Sequence, residues 1–388
     1  MFIFEVAIYL FFAYVMYLLA RKSYTHYCNL KTDKPDCCLW MFWLFFALVA
    51  GIRWNVGADS LGYARIFAEG KVYPDKMEPL WDALVLGVHN LGMHYSIGLA
   101  ITAFVQIYFM TKQSSRHRYV ILFLPFVIFG SEVFFVSYCN GVRQMMAACI
   151  FVFASQYIVN KKIYLYAIWV FIAYQIHHSA ILVAPMYLLA YIRPDKISFS
   201  DKRWLSVGIF LFCVAFGRVP TFQRIAEYFT IVTEYFGDSY EYVGREIERT
   251  LVEGDNDQMA FGPAMLSNLL LSLFPIYFGK ELKKEFKDKI PYFDLWWLFM
   301  FIYSCGFFLF INVNFMVVRP FNYFLPFLGL ISALLFYYFY SKRKTLLFAL
   351  FFISIWTGIT WNIIKAMSAP IDVTTYKVFW NHSLYEWE

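Results

Sequence analysis

The chain has 388 residues, of which 61% are hydrophobic and only 15% are charged. Its mean hydropathy of +0.55 and its repeated apolar runs of near membrane-spanning length exclude a soluble domain and predict a polytopic membrane protein. The net charge of +6 requires no nucleic-acid partner, and none of the seven cysteines has metal-ligand spacing. We therefore expect neither a metal ion, nor another cofactor, nor nucleic acid.

The apolar pattern predicts an all-α membrane domain that covers residues 1–388 and has about twelve transmembrane helices. The predicted spans are 2–20, 39–53, 95–111, 119–137, 142–159, 163–176, 179–192, 204–217, 262–279, 292–313, 321–340 and 345–362. Residues 51–94 form a loop on one face that includes a shorter helix over 79–92. That helix starts after Pro79 and is expected to lie at the interface or to re-enter the membrane.

The distribution of lysine and arginine predicts that both termini lie outside. In this orientation most of the 33 basic residues fall in inside loops, as the positive-inside rule requires. The bias disappears if 163–192 is a single helix, so we predict a hairpin of two short helices whose tip, 175–179, points outward. Outside, arginine outnumbers lysine. Arginine forms bidentate hydrogen bonds with phosphate, so this face is suited to an anion, although snorkelling explains a single arginine equally well.

The most polar stretch follows the second span, from Gly51 to Trp81. It contains Arg53, Asp59 and Glu78, and a carboxylate beside an arginine can orient or deprotonate a hydroxyl group. A structural ion pair that holds the loop is the alternative. The longest outside loop, 218–262, has the length of a lid or a binding element.

Three further outside positions combine polar groups with the start, the break or the end of a helix. Asn140 is predicted to cap the fifth span, where free N–H groups, the helix dipole and Arg143 form a site suited to pyrophosphate. His177 and His178 lie at the hairpin tip and can exchange a proton near neutral pH, unless they are merely buried and hydrogen bonded. Arg319 stands at the outer end of another span and is a candidate for a second phosphate contact.

Five short patterns follow one another along nearly the whole chain. They are Gly51, Arg53, Val56, Gly57, Asp59 and Tyr63; Glu78 to Trp81; Asn140, Arg143 and Gln144; His177, Ser179 and Ala180; and Arg319 with Asn322 to Phe324. Each is weak alone, but in this order and on one predicted membrane face the set resembles the EpsG family of bacterial membrane proteins, which look like Wzy-type polysaccharide polymerases. His177 holds the family's position in its pattern and therefore ranks above His178.

The resemblance implies a multi-pass glycosyltransferase of the bacterial inner membrane, with a fold related to GT-C transferases and an active site that faces the periplasm. Its substrates would be oligosaccharide repeat units on undecaprenyl pyrophosphate. The growing chain would leave its lipid carrier and join the next unit. The resemblance also implies a partner protein that sets chain length, and no bound nucleotide sugar.

This reaction assigns roles to the candidate residues. Arg143 and Arg319 would stabilise the departing pyrophosphate, and His177, Asp59 and Glu78 are the candidates for the base that activates the acceptor hydroxyl. The remaining candidates would bind substrate: Arg53, Tyr63, Asn140, Gln144, His178, Asn322 and Tyr323. An O-antigen ligase, a flippase for the same lipid-linked unit, and a membrane O-acyltransferase are the alternative functions.

Overall fold

The structure is a computed structural model that describes residues 2–30, 34–72, 78–192, 197–220, 222, 261–313, 315–369 and 372–384. The described chain is dominated by helices. Those of the first half are α1 (Phe2–Leu30), α2 (Cys37–Gly51), α3 (Ser60–Glu69), α4 (Pro79–Asn90), α5 (Tyr95–Lys112), α6 (Leu124–Gly130), α7 (Glu132–Asn140) and α8 (Val142–Ala154). The helices that follow are α9 (Gln156–Val159), α10 (Ile163–Tyr174), α11 (Arg203–Phe216), α12 (Pro263–Tyr277), α13 (Gly279–Phe286), α14 (Phe293–Phe310), α15 (Phe315–Val318), α16 (Leu325–Ser341) and α17 (Thr345–Ala366).

Within the described residues, five helical segments are long and apolar enough to cross a membrane, or six if one bent pair is a single span. They are Phe2–Leu30, Val142–Val159, Phe293–Phe310, Arg319–Ser341 and Thr345–Ala366. Shorter apolar helices occupy several other predicted spans, including α2, α11 and α12. The chain is thus a multi-pass, all-α membrane protein, while the total of twelve spans stays a prediction.

The predicted span 119–137 is bent within its length and is one span only if its two helical pieces are counted together. Residues 118–140 form two helical pieces that meet at an angle of 76°. Ser131 has an extended backbone that ends α6, and its hydroxyl accepts a hydrogen bond from the N–H of Val133 at 3.3 Å to begin α7. The bend aims the end of α7, with Asn140, at the region that also holds residues 57–59.

The segment 163–192 is divided into two short helices, as predicted. After α10, His177 adopts an extended backbone, and residues His178–Ala190 return as a 3₁₀ helix. The Tyr166 hydroxyl donates to the carbonyl oxygen of Val183 at 2.5 Å, so the two arms pack directly against each other. His177 therefore lies at the break between two helices, where its side chain is not part of a lipid-facing helical surface.

Two helices at the centre of the molecule begin near that break. Nearly every side chain of α8 and α16 is buried, whereas α1 and α17 carry many exposed apolar residues. The 3₁₀ turn Arg319–Phe324 runs directly into α16, so Arg319 stands at its start as Arg143 stands at the start of α8. Both arginines thus lie at the beginnings of central helices.

The C-terminal segment folds back onto the loop after α2. Strand β1 (Arg53–Trp54) pairs antiparallel with β2 (Lys377–Val378). The N–H of Gly57 donates to the carbonyl oxygen of Val373 at 2.8 Å, and the Trp54 ring stacks on His382 at 4.1 Å. These contacts connect the segment after α2 to the C-terminal segment and hold residues 53–57 in place.

Candidate active site

A cavity of about 410 Å³ opens where α3, the α7–α8 junction, the hairpin tip and the turn before α16 meet. Most of the polar residues predicted from the sequence face it. Its lining consists of Ala58, Asp59, Gly62, Tyr63, Ile66, Ser137, Asn140, Gly141, Arg143, Gln144, Met145, His177, Arg319 and Asn322. Residues more than 260 positions apart in the sequence thus share one concave surface.

Glu78 does not line the cavity, but its carboxylate contacts two residues that do, Arg143 and His177. Its side chain is only 2% exposed; one carboxylate oxygen is paired with Arg143, and the other lies 2.9 Å from Nδ1 of His177. The N–H of His178 also donates to Glu78, at 3.3 Å. Burial alone would raise the pKa of Glu78, but the hydrogen bond with His177 and the charge of Arg143 outweigh it and lower that pKa. Glu78 is therefore an ionised acceptor.

An ionised Glu78 determines the tautomer of His177. A carboxylate can only accept a hydrogen bond, so Nδ1 of His177 must carry the proton and Nε2 must carry the lone pair. Burial lowers the pKa of His177, and the neighbouring Glu78 opposes that effect only in part. The imidazole is consequently neutral near pH 7, with a basic nitrogen on a residue that lines the cavity.

Asn140 and Asp59 occupy a different arrangement from the predicted one. Asn140 is the last residue of α7 and does not cap α8; its side-chain oxygen accepts from the N–H of Asp59 at 2.6 Å. Neither α3 nor α8 has a side-chain hydrogen bond at its N-cap, and residues of both first turns line the cavity. Burial raises the pKa of Asp59, and Arg319 and Arg143 partly oppose it. Two helix N-termini and two arginines thus make the electrostatic potential of the cavity positive.

Two hydrogen bonds join the remaining sequence patterns. The side-chain amide of Gln144 donates to the carbonyl oxygen of Arg319 at 2.7 Å, which connects α8 to the turn before α16. The hydroxyls of Ser179 and Tyr323 lie 2.8 Å apart and connect the hairpin to the same turn. Tyr323 is buried and does not line the cavity, so its position suits support of the site better than the predicted contact with substrate.

The sequence predicts that Arg53 binds substrate, but the structure places it outside the cavity lining. Its guanidinium is buried and donates to the backbone carbonyl of Ala50 and, at 3.3 Å, to that of Cys139. Arg53 therefore connects the end of α2 to the end of α7, immediately before Asn140. His178 is also outside the lining, although its Nδ1 lies 3.9 Å from Glu78.

Sequence reasoning missed the contribution of residues 372–384. The Asp372 carbonyl accepts from the side chain of Asn55 at 3.1 Å, and the Phe379 N–H donates to the carbonyl of Ile52 at 3.1 Å. A weak signal was available: after the last apolar helix, residues 373–378 are rich in Val, Thr and Tyr, which are typical of strands. Loop 218–262 lies almost wholly outside the described residues.

The turn at Gly57 is expected to tolerate no side chain. Gly57 has φ +92°, and a Cβ there would lie 3.1 Å from the backbone nitrogen of Asn140. We expect Gly57→Ala to displace Asp59 and Asn140, at a cost of about 1–2 kcal/mol for the backbone alone. Activity in vivo should fall sharply at a normal protein level in the membrane.

The control for Gly57→Ala is Gly87→Ala on α4, where a Cβ meets nothing within 4 Å. Alanine is a better helix former than glycine, so this variant should be at least as stable as the wild type. Equal activity of both variants would contradict the role given to Gly57.

Fold and site together define a multi-pass helical membrane protein with a polar, arginine-bearing cavity at the start of its central helices. The profile of the EpsG family matches residues 37–379, which is most of the chain. The chain belongs to the EpsG family. No curated protein and no solved structure gives a significant match.

Proposed function

We propose that this protein is a polysaccharide polymerase, a glycosyltransferase that joins oligosaccharide repeat units carried on undecaprenyl pyrophosphate. Membership of the EpsG family supports a polymerase-like function. The observation that carries the specific reaction is the cavity itself. It brings Arg143, Arg319 and the first turn of α8 to the same concave surface as the neutral His177.

The arginines fit the departing group of this reaction. As the bond between the anomeric carbon and the pyrophosphate oxygen breaks, its electron pair moves to the pyrophosphate and negative charge grows there. Guanidinium groups and uncapped helical N–H groups stabilise such charge without reorganising. Arg143 is held by Glu78, and its guanidinium lies 5.8 Å from the centre of the Trp81 ring, so its position is fixed before substrate binds.

His177 fits the role of the base in this reaction. The acceptor hydroxyl oxygen forms the new bond to the anomeric carbon, and its proton passes to Nε2 of His177. Glu78 then stabilises the imidazolium through Nδ1, an arrangement that matches the carboxylate–histidine pairs of hydrolases. Asp59 also lines the cavity and is assigned to hydrogen bonds with sugar hydroxyls, together with Asn140 and Asn322. Glu78 is too enclosed to reach a substrate.

The setting of the reaction follows from the charge distribution and from the family. The cavity is on the predicted outer face, which supports a site at the periplasmic side of the bacterial inner membrane. The lipid carrier would remain in the bilayer while its pyrophosphate enters the cavity. A chain-length regulator is the expected protein partner.

Deletion of the gene in its native host tests the proposal. Surface glycan should collapse from a ladder to a single repeat unit, and the wild-type gene on a plasmid should restore the ladder. Complete loss of surface glycan would instead indicate a ligase or a flippase. An unchanged ladder would overturn the proposal, and incorporation of labelled acetyl groups would then test for an O-acyltransferase.

A further inference from the structure

A second cavity lies at the other end of the molecule. It has a volume of about 740 Å³ and is formed by the start of α11 and by α13. Basic residues predominate in its lining. The lining residues are Asp201, Lys202, Arg203, Trp204, Leu205, Lys280, Glu281 and Lys284.

Helix directions show that the two cavities are separated by the thickness of the membrane domain. Helices α11 and α14 run parallel: Arg203 at the start of α11 pairs with Glu281, shortly before α14, and Asn312 after α14 donates to the Gly217 carbonyl after α11 at 3.5 Å. Arg319 of the first cavity follows the end of α14. Helix α14, which lies between the two cavities, has 18 residues. It is therefore about 27 Å long, close to the hydrocarbon thickness of a bilayer.

Buried polar contacts hold the walls of this second cavity together. The Ser198 hydroxyl donates to Asp294 at 3.0 Å, and Lys283 lies 3.2 Å from Asp294 and 3.7 Å from Asp201. The Arg203 guanidinium lies 4.5 Å from the centre of the Tyr277 ring. The segment before α11 and helix α13 are therefore fixed relative to each other.

The charge inside the cavity is positive. Its two carboxylates are already engaged, Glu281 by Arg203 and Asp201 by Lys283. Lys202, Lys280 and Lys284 are exposed and surround the same volume. Lysine and arginine around a concave space favour an anionic ligand such as a phosphate group.

The rim of the cavity carries exposed apolar side chains. Trp204 is 74% exposed, and α11 continues with exposed Leu205, Leu211, Phe212 and Phe216. Tryptophan at the end of an apolar helix is typical of the membrane–water boundary. A ligand that fits both parts carries a phosphate at one end and hydrocarbon at the other.

We propose that this cavity binds the phosphate head group of an anionic phospholipid, whose acyl chains lie along the exposed face of α11. The positive-inside rule predicts that this site faces the inner leaflet. It is separate from the polymerase cavity, and its binding does not depend on the proposed function.

Native mass spectrometry of the purified full-length protein tests this site with phosphatidylglycerol and, for comparison, phosphatidylcholine. The variant Lys280→Gln/Lys284→Gln should bind phosphatidylglycerol about 30-fold more weakly at its strongest step, with phosphatidylcholine binding unchanged. The charge-preserving variant Lys280→Arg/Lys284→Arg should bind like the wild type. Equal melting temperatures without added lipid would show that the variants fold.

The matched control is Lys161→Gln/Lys162→Gln, an exposed lysine pair in another loop predicted to lie inside. Its phosphatidylglycerol binding should equal that of the wild type. The proposal is overturned if the control pair weakens binding as much as the cavity pair, or if neither does. It is also overturned if inorganic phosphate binds with the same lysine dependence while phosphatidylglycerol does not, because the site would then hold a soluble anion.

Discussion

Polymerisation is expected to fall by about 10²- to 10⁴-fold when His177 is replaced by glutamine, because the acceptor hydroxyl then lacks its base. Glutamine keeps a polar side chain of similar reach, and the protein level in the membrane should stay normal. Chain synthesis by the purified protein from lipid-linked repeat units measures the rate. His178→Gln is the matched control, since His178 does not line the cavity, and it should retain most of the activity.

The pH profile distinguishes a base from a merely structural histidine. A base works only when unprotonated, so activity should be lost as pH falls through the pKa of His177, which burial places below the ordinary histidine value. Glu78 raises that pKa and Arg143 lowers it. The acid limb should therefore move to lower pH in Glu78→Gln and to higher pH in Arg143→Ala. Shifts in the opposite directions would contradict the assignment.

Loss of either cavity arginine is the second large effect expected. Arg143→Ala and Arg319→Ala should each slow polymerisation by about 10²- to 10³-fold, because each removes a donor to the growing charge on pyrophosphate. Arg143→Lys keeps the charge but not the planar pair of donors, so it should be only partly active. The surface-glycan ladder and the purified reaction both measure these changes.

Arg218→Ala is the control for the arginine variants. Arg218 also lies on the predicted outer face, but its guanidinium is 4.9 Å from the Phe261 ring and outside the cavity lining. Its replacement should leave the ladder intact. Long chains that persist in both Arg143→Ala and Arg319→Ala would remove these residues from the reaction.

The amino-acid sequence by itself determined the class of protein and the positions of most helices. Apolar runs such as 95–111 and 345–362 match α5 and α17 within a few residues, because burial in lipid requires a continuous hydrophobic helix. It also indicated Arg143, His177 and Arg319 as site residues. Charged or titratable groups at the ends of apolar helices carry an energetic cost, and they are therefore candidates for a function.

Only the tertiary structure decided which polar groups meet and what each can do. In the structure Glu78 sets the tautomer of His177, and Arg53 donates hydrogen bonds to two backbone carbonyls. Both roles depend on distances between segments that are far apart in the chain. The break at Ser131 and the return of residues 372–384 to β1 were likewise decided by hydrogen bonds between residues that local hydrophobicity does not report. A pattern of apolar residues specifies where helices form, whereas long-range packing and polar pairing specify the site.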